Sequence, residues 1–256
     1  MIVNGTMLNR PLRGVGEFYA MSIDTLLILP RRPFAWEEFL RQSWFVVRVS
    51  LLPTLLLAIP FSVLLVFTFN ILLTEFGAAD FAGTGAAYGA VTQIGPTVTV
   101  LVIAGAGGTA MCADLGARTI REEIAALRVM GINPLQALVV PRVLAATFVT
   151  VMLSSAVVLV CLVGSFVFAV FIQHVNPGAF VGGITLLTGL GDVTVAFVKA
   201  ALFGFAAGLI ACYKGLYVSG GPAGVGRAVN ETVVYTFMAL FAINIIASAV
   251  GIEALK

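Results

Sequence analysis

Long apolar runs alternate with short charged segments along the whole chain. The first run covers residues 44–73 and contains Pro53 and Pro60, residues that kink a membrane helix but are tolerated there. The second lies in the uncharged stretch 81–113, longer than the roughly 20 residues needed to cross a bilayer. Gln93, Gly95 and Pro96 interrupt its start, so part of it is expected to be loop. No Asp, Glu, Lys or Arg occurs over 143–191, which is too long for one helix of ordinary tilt. The segment Gln173-His174-Val175-Asn176-Pro177-Gly178 divides it into a third span, 143–172, and an external loop with short helical pieces to about Gly191. A fourth span follows at 193–213 and a fifth at 232–252, with the glycine-rich loop 219–226 turning the chain between them. The pattern predicts an all-α integral membrane protein, a single transmembrane domain over residues 1–256.

Two mixed segments precede the first span. Arg10, Arg13, Glu17 and Asp24 share one helical face, and Leu12, Val15, Tyr19, Ile23 and Leu26 share another. This predicts a helix over about 10–33 lying in the membrane interface, or else one packed on the protein's own surface. Arg31-Arg32-Pro33 ends it. A second mixed helix, 34–48, carries Trp36 and Trp44, a residue type favoured at the interface.

The stretch 105–146 is a charged island between apolar runs. Thr119-Ile-Arg-Glu122 reads as a capping box, in which both side chains satisfy free N–H groups at a helix start. The helix so opened, 119–131, carries Ile120, Ile124, Leu127 and Met130 as one apolar stripe. Gly131 is expected to end it in a left-handed conformation, and Asn133-Pro134 prevents continuation. Arg118, Arg121, Glu122, Glu123 and Arg128 make the rest of the surface charged. A helix this short is marginal alone, so its stripe must be held and its charged face is free to meet a partner.

Composition excludes a soluble domain: 60% of the 256 residues are hydrophobic and 10% are charged, against about 25% charged in soluble domains. A net charge of +2 gives no footing for nucleic acid. The basic residues instead mark topology. Arg10, Arg13, Arg31, Arg32 and Arg41 precede the first span, with Arg48 near its start. Arg118, Arg121, Arg128 and Arg142 lie between spans two and three, and Lys214 and Arg227 between spans four and five. The loops after spans one and three have neither Lys nor Arg. The N-terminus and charged island are therefore expected on the cytoplasmic side of the plasma membrane, and the C-terminus outside. No signal peptide is expected in 1–32.

Candidate chemistry is sparse. Cys112, Cys161 and Cys212 lack metal-ligand spacing and read as buried small hydrophobes. The single histidine, His174, reads as a loop residue. No phosphate-binding loop of the G-x-x-x-x-G-K-[ST] type is present, and the glycine pattern at 221–226 reads as a turn. Gly85/Gly89 and Gly204/Gly208 fit close helix packing, within the subunit or between two. Asp192 and Lys199 fall two turns apart on one face; either Lys199 reaches Asp192 or a neighbouring span, or the two line a substrate path. Asp114, Arg118 and Glu231 are expected to hold loops together near the inner surface.

The island resembles closely the central region of the MlaE/YrbE permease family. The resemblance rests on Asp114-Leu115-Gly116, Glu122-Glu123-Ile124, the run from Ala126 through Met130-Gly131-Ile132-Asn133-Pro134, and Leu138-Val139-Val140-Pro141-Arg142-Val143-Leu144-Ala145. A second match runs from Gly221-Pro-Ala-Gly224 through Asn230-Glu231-Thr232-Val233-Val234. Arg31-Arg32-Pro33-Phe34 and Asn176-Pro177-Gly178-Ala179-Phe180 extend the resemblance over almost the whole chain, which looks most like the A-type YrbE permease of actinobacterial (mycobacterial) Mce lipid importers.

The resemblance implies an interfacial N-terminal helix, five spans, and a cytoplasmic coupling helix that docks on a homodimeric ABC ATPase. ATP and Mg would be held by that ATPase, with no cofactor in this chain and no enzyme activity of its own. A B-type YrbE partner, MCE-domain proteins and imported lipids, such as fatty or mycolic acids or sterols, are further implications. Arg121, Glu122, Glu123, Leu127, Arg128 and Met130 are the expected docking residues. Where the family often carries an acidic residue, this chain has Ala125. Leu55, Pro60 and Leu64 on the first span, Asp192 and Lys199 on the fourth and Asn244 on the fifth are the candidate substrate-path residues. The rival readings are an ion-coupled secondary transporter of a hydrophobic substrate, a membrane-embedded lipid enzyme, and a scaffold. A secondary transporter would carry internal repeats and mid-membrane acids, and a lipid enzyme a His, Asp or Cys cluster.

Overall fold

The computed structural model describes residues 6–29, 35–77 and 81–254. Among these residues the chain folds into helices without strands: α1 (Thr6–Ile28), α2 (Trp36–Glu75), α3 (Ala82–Gly89), α4 (Gly95–Val102), α5 (Gly108–Ile120), α6 (Glu123–Val129), α7 (Val140–Val167), α8 (Pro177–Leu187), α9 (Leu190–Leu216) and α10 (Gly221–Ala254). Five helical stretches are long and apolar enough to cross a bilayer: Trp36–Leu73, Gly83–Ile120, Leu135–Ile172, Leu190–Leu216 and Gly221–Gly251. Each expected span is present, and the second mixed helix is simply the start of α2, which runs unbroken through Pro53 and Pro60.

The second span is continuous where a loop was expected. A wide π turn over Ala90–Ile94 joins α3 to α4, and the Gly95 N–H reaches the Ala90 carbonyl five residues back. Pro96 has no N–H, and its ring crowds the carbonyl four residues back. Widening the turn relieves that crowding and keeps the backbone bonded internally, as a membrane requires. The same device precedes Pro141. The π turn Leu135–Val139 lets the Val140 N–H reach Leu135, so the third span begins earlier than residue 143. The glycine-rich loop also contracts: Gly220 and Gly221, at φ +86° and +66°, make the turn, and the remaining glycines belong to the first turns of α10.

At one end of the bundle, α8 starts on an Asn176 side chain that accepts the Gly178 N–H at 2.9 Å. It packs on α3 through buried Phe180 and a Thr84 hydroxyl donating to the Gly183 carbonyl. His174, at φ +58°, is an exposed residue of the preceding link. The three cysteines are buried free thiols. Helix α1 packs on the protein's own surface along one side and leaves an apolar side open. Met21, Thr25 and Ile28 are buried, and the Tyr213 hydroxyl donates to the Gly14 carbonyl at 3.0 Å, while Val15, Tyr19, Ile23 and Leu26 stay exposed. The side chains of Arg10, Leu12 and Arg13 and the Arg31-Arg32-Pro33 break lie outside the described residues.

The second span and α9 are the most buried, while α2 and α10 leave most of their residues exposed. Gly204 and Gly208 explain the closest packing. A Cβ on Gly204 would stand 2.6 Å from Thr147 Cα and 2.7 Å from the Ala146 carbonyl oxygen, and one on Gly208 would stand 3.1 Å from Val143 Cα. This pair therefore seats α9 on α7 within the chain.

At the opposite end from α8, the Arg142 guanidinium is 0% exposed. Its Nη2 lies 2.6 Å from Asp114 on α5 and 3.4 Å from Glu38 on α2, and its Nη1 donates to the Leu138 carbonyl at 3.1 Å. Asp114 also meets Arg118 at 3.4 Å, and Gln42 donates to Glu38 at 2.8 Å. Arg142 is thus the buried junction of three spans, and not the loop charge expected of it. On the same end Lys214 bonds Glu231 at 2.6 Å, tying α9 to α10.

Two outcomes follow for unfolding in detergent. Gly204→Ala is expected to cost about 1–3 kcal/mol by forcing α7 and α9 apart. Gly226→Ala, with nothing within 4 Å of the added atom, should be neutral or stabilising; equal thermal midpoints for the two would contradict the packing. Arg142→Met is expected to cost about 1–3 kcal/mol by leaving the partly buried carboxylates of Glu38 and Asp114 without their shared partner, with part of the loss recovered on adding Asp114→Asn.

Candidate functional site

The break between α5 and α6 sets the first candidate surface. Thr119 does not open a helix. It lies in the last turn of α5, where its hydroxyl shares a hydrogen bond with the Leu115 and Gly215 carbonyls, each 2.9 Å away. With that hydroxyl committed, no capping box forms, and Glu122 makes no side-chain cap. The chain turns because Glu122 adopts the left-handed region, φ 61° and ψ 13°. For a residue other than glycine this costs on the order of 1 kcal/mol or more. Helix α6 therefore starts at Glu123, later than predicted.

Its far end follows the prediction. Gly131, at φ +76°, donates its N–H to the Arg128 carbonyl at 3.1 Å, and the Ile132 N–H reaches Leu127 at 2.9 Å. This is the Schellman closure, which satisfies the last carbonyls of the helix. The Asn133 side chain then accepts the Leu135 N–H at 3.0 Å and leads into the third span.

Two turns of helix need an anchor. Ile124, 5% exposed, and half-buried Leu127 supply it by joining a cluster with Met21, Leu138, Val139, Val143 and Leu209. Leu127, expected on the docking surface, thus points inward, because a two-turn helix has no other apolar root. Arg121, Glu122, Arg128 and Met130 are exposed, Glu123 is partly so, and Arg121 pairs with Glu123 at 2.9 Å. Among the described residues, Glu122 and Arg128 have no ion-pair partner. Among the described residues the most exposed large apolar side chain is one that the stripe did not include: Val129, at 89%, beside Met130 at 64%. Val129 lies two residues from Leu127, about 200° round the helix, and an apolar residue opposite the buried stripe was the available signal. Ala125, the departure from the family pattern, also faces outward.

The second candidate surface lies between α9 and α10. Lys199, 4% exposed, donates to the Ser248 hydroxyl oxygen at 2.8 Å, and Ser248 donates to the Asn244 carbonyl at 2.7 Å. The Asn244 side-chain oxygen is buried without a hydrogen-bond partner. Asp192 does not pair with Lys199; it accepts the Gly189 N–H at 2.9 Å at the start of α9. Both residues line a small cleft of about 60 Å³ with Tyr88, Thr92 and Gln93. On its other side Lys199 borders an open apolar groove of about 440 Å³, lined by Val198, Leu202, Ile243, Ile246 and Val250. Leu55 is half-buried and Pro60 and Leu64 are exposed on α2. None of the three lines either cavity, so the chain by itself does not bring the first-span candidates to the Lys199 cluster. Ser248 was missed; lying one turn beyond Asn244 on the same face, it was legible as a polar pair within an apolar span.

Among the described residues no group of His, Cys, Asp and Glu could hold a metal ion. Comparison with known proteins points the same way as the five spans. The chain is 32% identical over 169 residues to a probable ABC transporter permease protein of Synechocystis, covering 61% of this chain and 64% of that protein, which is less than two thirds of its length. It is 28% identical over 223 residues to a probable ABC transporter permease protein of Rickettsia conorii, covering 87% and 86%. The intermembrane phospholipid transport system permease protein MlaE of Haemophilus influenzae is 26% identical over 181 residues, covering 70% and 69%. The family model for the permease MlaE matches residues 39–250, and with its five apolar spans the chain belongs to the MlaE permease family.

Proposed function

We propose that this chain is the permease subunit of an ABC transporter that imports lipids delivered by MCE-domain proteins, of the A-type YrbE kind found in actinobacterial Mce systems. It works beside a B-type permease on an ATPase pair that holds ATP and Mg. The N-terminus and α6 lie on the cytoplasmic side of the plasma membrane and the C-terminus outside, as the basic residues favour. Fatty or mycolic acids and sterols are the lipids this reading admits. Its support in known proteins is the naming of two relatives as probable ABC transporter permeases and of a third as part of a phospholipid transport system.

The observation that carries the reading is α6. It exposes Glu122, Arg128, Val129 and Met130 at the end of the bundle while Ile124 and Leu127 are rooted among α1, α7 and α9. A surface of unpaired charges around an apolar knob suits a protein groove. Its rooting makes it a lever: a push on α6 by ATPase closure is passed to the packed spans, because close-packed interiors transmit displacement.

The test replaces the charged surface without disturbing the turn. Glu122→Gly keeps the left-handed conformation, and Glu123→Gln and Arg128→Ala remove the other charges. The triple variant is expected to recover roughly tenfold less ATPase on co-purification from native membranes, at a thermal midpoint that is not lowered, because glycine relieves the strain at position 122. Undiminished ATPase recovery would overturn the docking role.

A further inference from the structure

Lys199 is not used by the docking mechanism, and its surroundings are unusual for a membrane span. It is the tenth residue of α9, about 14 Å along the helix axis, and is almost fully buried. An ammonium offers three N–H donors; here the Ser248 oxygen takes one. Ser248 spends its own proton on the Asn244 carbonyl, which leaves its oxygen facing Lys199 as an acceptor. Among the described residues no carboxylate lies within ion-pairing distance of Lys199. An ionisable group at this depth is costly unless something pairs with it. One turn from Ser248, the Asn244 side-chain oxygen is also buried and lacks a donor. Lys199 is therefore left short of partners where α9 meets α10 at Ser248.

That place is a junction of two cavities. The small cleft has mixed walls, with Tyr88, Thr92, Gln93 and Asp192 set among Val91, Val195 and Ala196, and the groove of about 440 Å³ between α9 and α10 has almost wholly aliphatic ones. Lys199, Val195 and Gly251 border both. The groove is within the usual range for ligand sites, about 300–1,000 Å³. A molecule that complements it must carry an anionic, hydrogen-bonding group at the Lys199 end and an aliphatic chain along Val198, Leu202, Ile243 and Ile246.

We infer that Lys199, oriented by Ser248, binds the anionic headgroup of a lipid whose acyl chain occupies the groove between α9 and α10. The inference rests on the lipid-permease reading and deepens it by naming the recognised group, a carboxylate or a phosphate. It assigns sterols and esters no specific hold at this site.

The test uses the complex purified from native membranes into nanodiscs. Three photoactivatable probes carry the same diazirine-bearing chain: a free fatty acid, its methyl ester and a phospholipid. After irradiation, labelled peptides of 194–202 and 243–251 are quantified by mass spectrometry. At least one anionic probe should label these peptides roughly tenfold more than the ester, in line with a charge-assisted hydrogen bond. Preference between acid and phospholipid identifies the headgroup. Lys199→Met should bring anionic labelling down to the ester level, and Lys199→Arg should keep it. Equal labelling by acid, phospholipid and ester overturns the inference on the unaltered protein, even if Lys199→Met does not fold. So does labelling that Lys199→Met leaves unchanged, or cross-linking of the groove to the second permease in place of lipid. Lipid labelling confined to other spans defeats the headgroup site alone, whereas no lipid labelling anywhere in the chain defeats the lipid-permease reading itself.

Discussion

A guanidinium with no exposed surface is the constraint on which the rest of this structure turns. Arg142 is buried where α2, α5 and α7 meet, and a buried charge is tolerated only when it is paired and hydrogen-bonded. Glu38, Asp114 and the Leu138 carbonyl answer that requirement from three separate segments. The requirement fixes how far α5 advances relative to α7, because Asp114 must stay opposite Arg142. It therefore also fixes where α5 ends and where the chain turns into α6. An apolar junction would pack equally well but would allow sliding; the ion cluster has one register.

From that fixed end, the position of α6 follows by short steps. Thr119 bonds α5 to the Gly215 carbonyl of α9, Glu122 accepts a strained conformation, and Gly131 closes the helix. Ile124 and Leu127 then bury what little apolar surface two turns can offer. The strain at Glu122 is sustained because both flanking helices are held independently. The outcome is a short helix fixed in place at its inner face and chemically available at its outer one.

The spans were legible because apolar length is a strong signal, and the five runs survive with only their ends extended. The closure at Gly131 was legible too, since its glycine sits immediately after the last periodic residue. Three features were not. The π turns before Pro96 and Pro141 keep helices going where local chemistry reads as an interruption, and only the demand that a membrane-buried backbone satisfy itself decides the matter. Thr119-Ile-Arg-Glu122 has the composition of a capping box, but the helix arriving from the second span had already claimed the threonine. Arg142 counted as a topology charge in the sequence, whereas its burial depends on carboxylates 28 and 104 positions away along the chain. Local pattern fixes elements well; which charges go inside is a property of the assembled bundle. The same limit separates the substrate-path candidates, since Lys199 meets Ser248, Asn244 joins them only through its backbone carbonyl, and the first-span residues line neither cavity.

In the proposed function the outer face of α6 meets an ATPase and its inner face is the root. The most direct measurement places a photo-cross-linking amino acid singly at Val129, Arg128, Ile124 and Leu127 in the native membrane and identifies what each captures. Val129 and Arg128 should capture an ATPase, while Ile124 and Leu127 should capture segments of the permease itself. Capture of an ATPase from Ile124 or Leu127, or of none from Val129 and Arg128 while the ATPase still co-purifies, would contradict this reading.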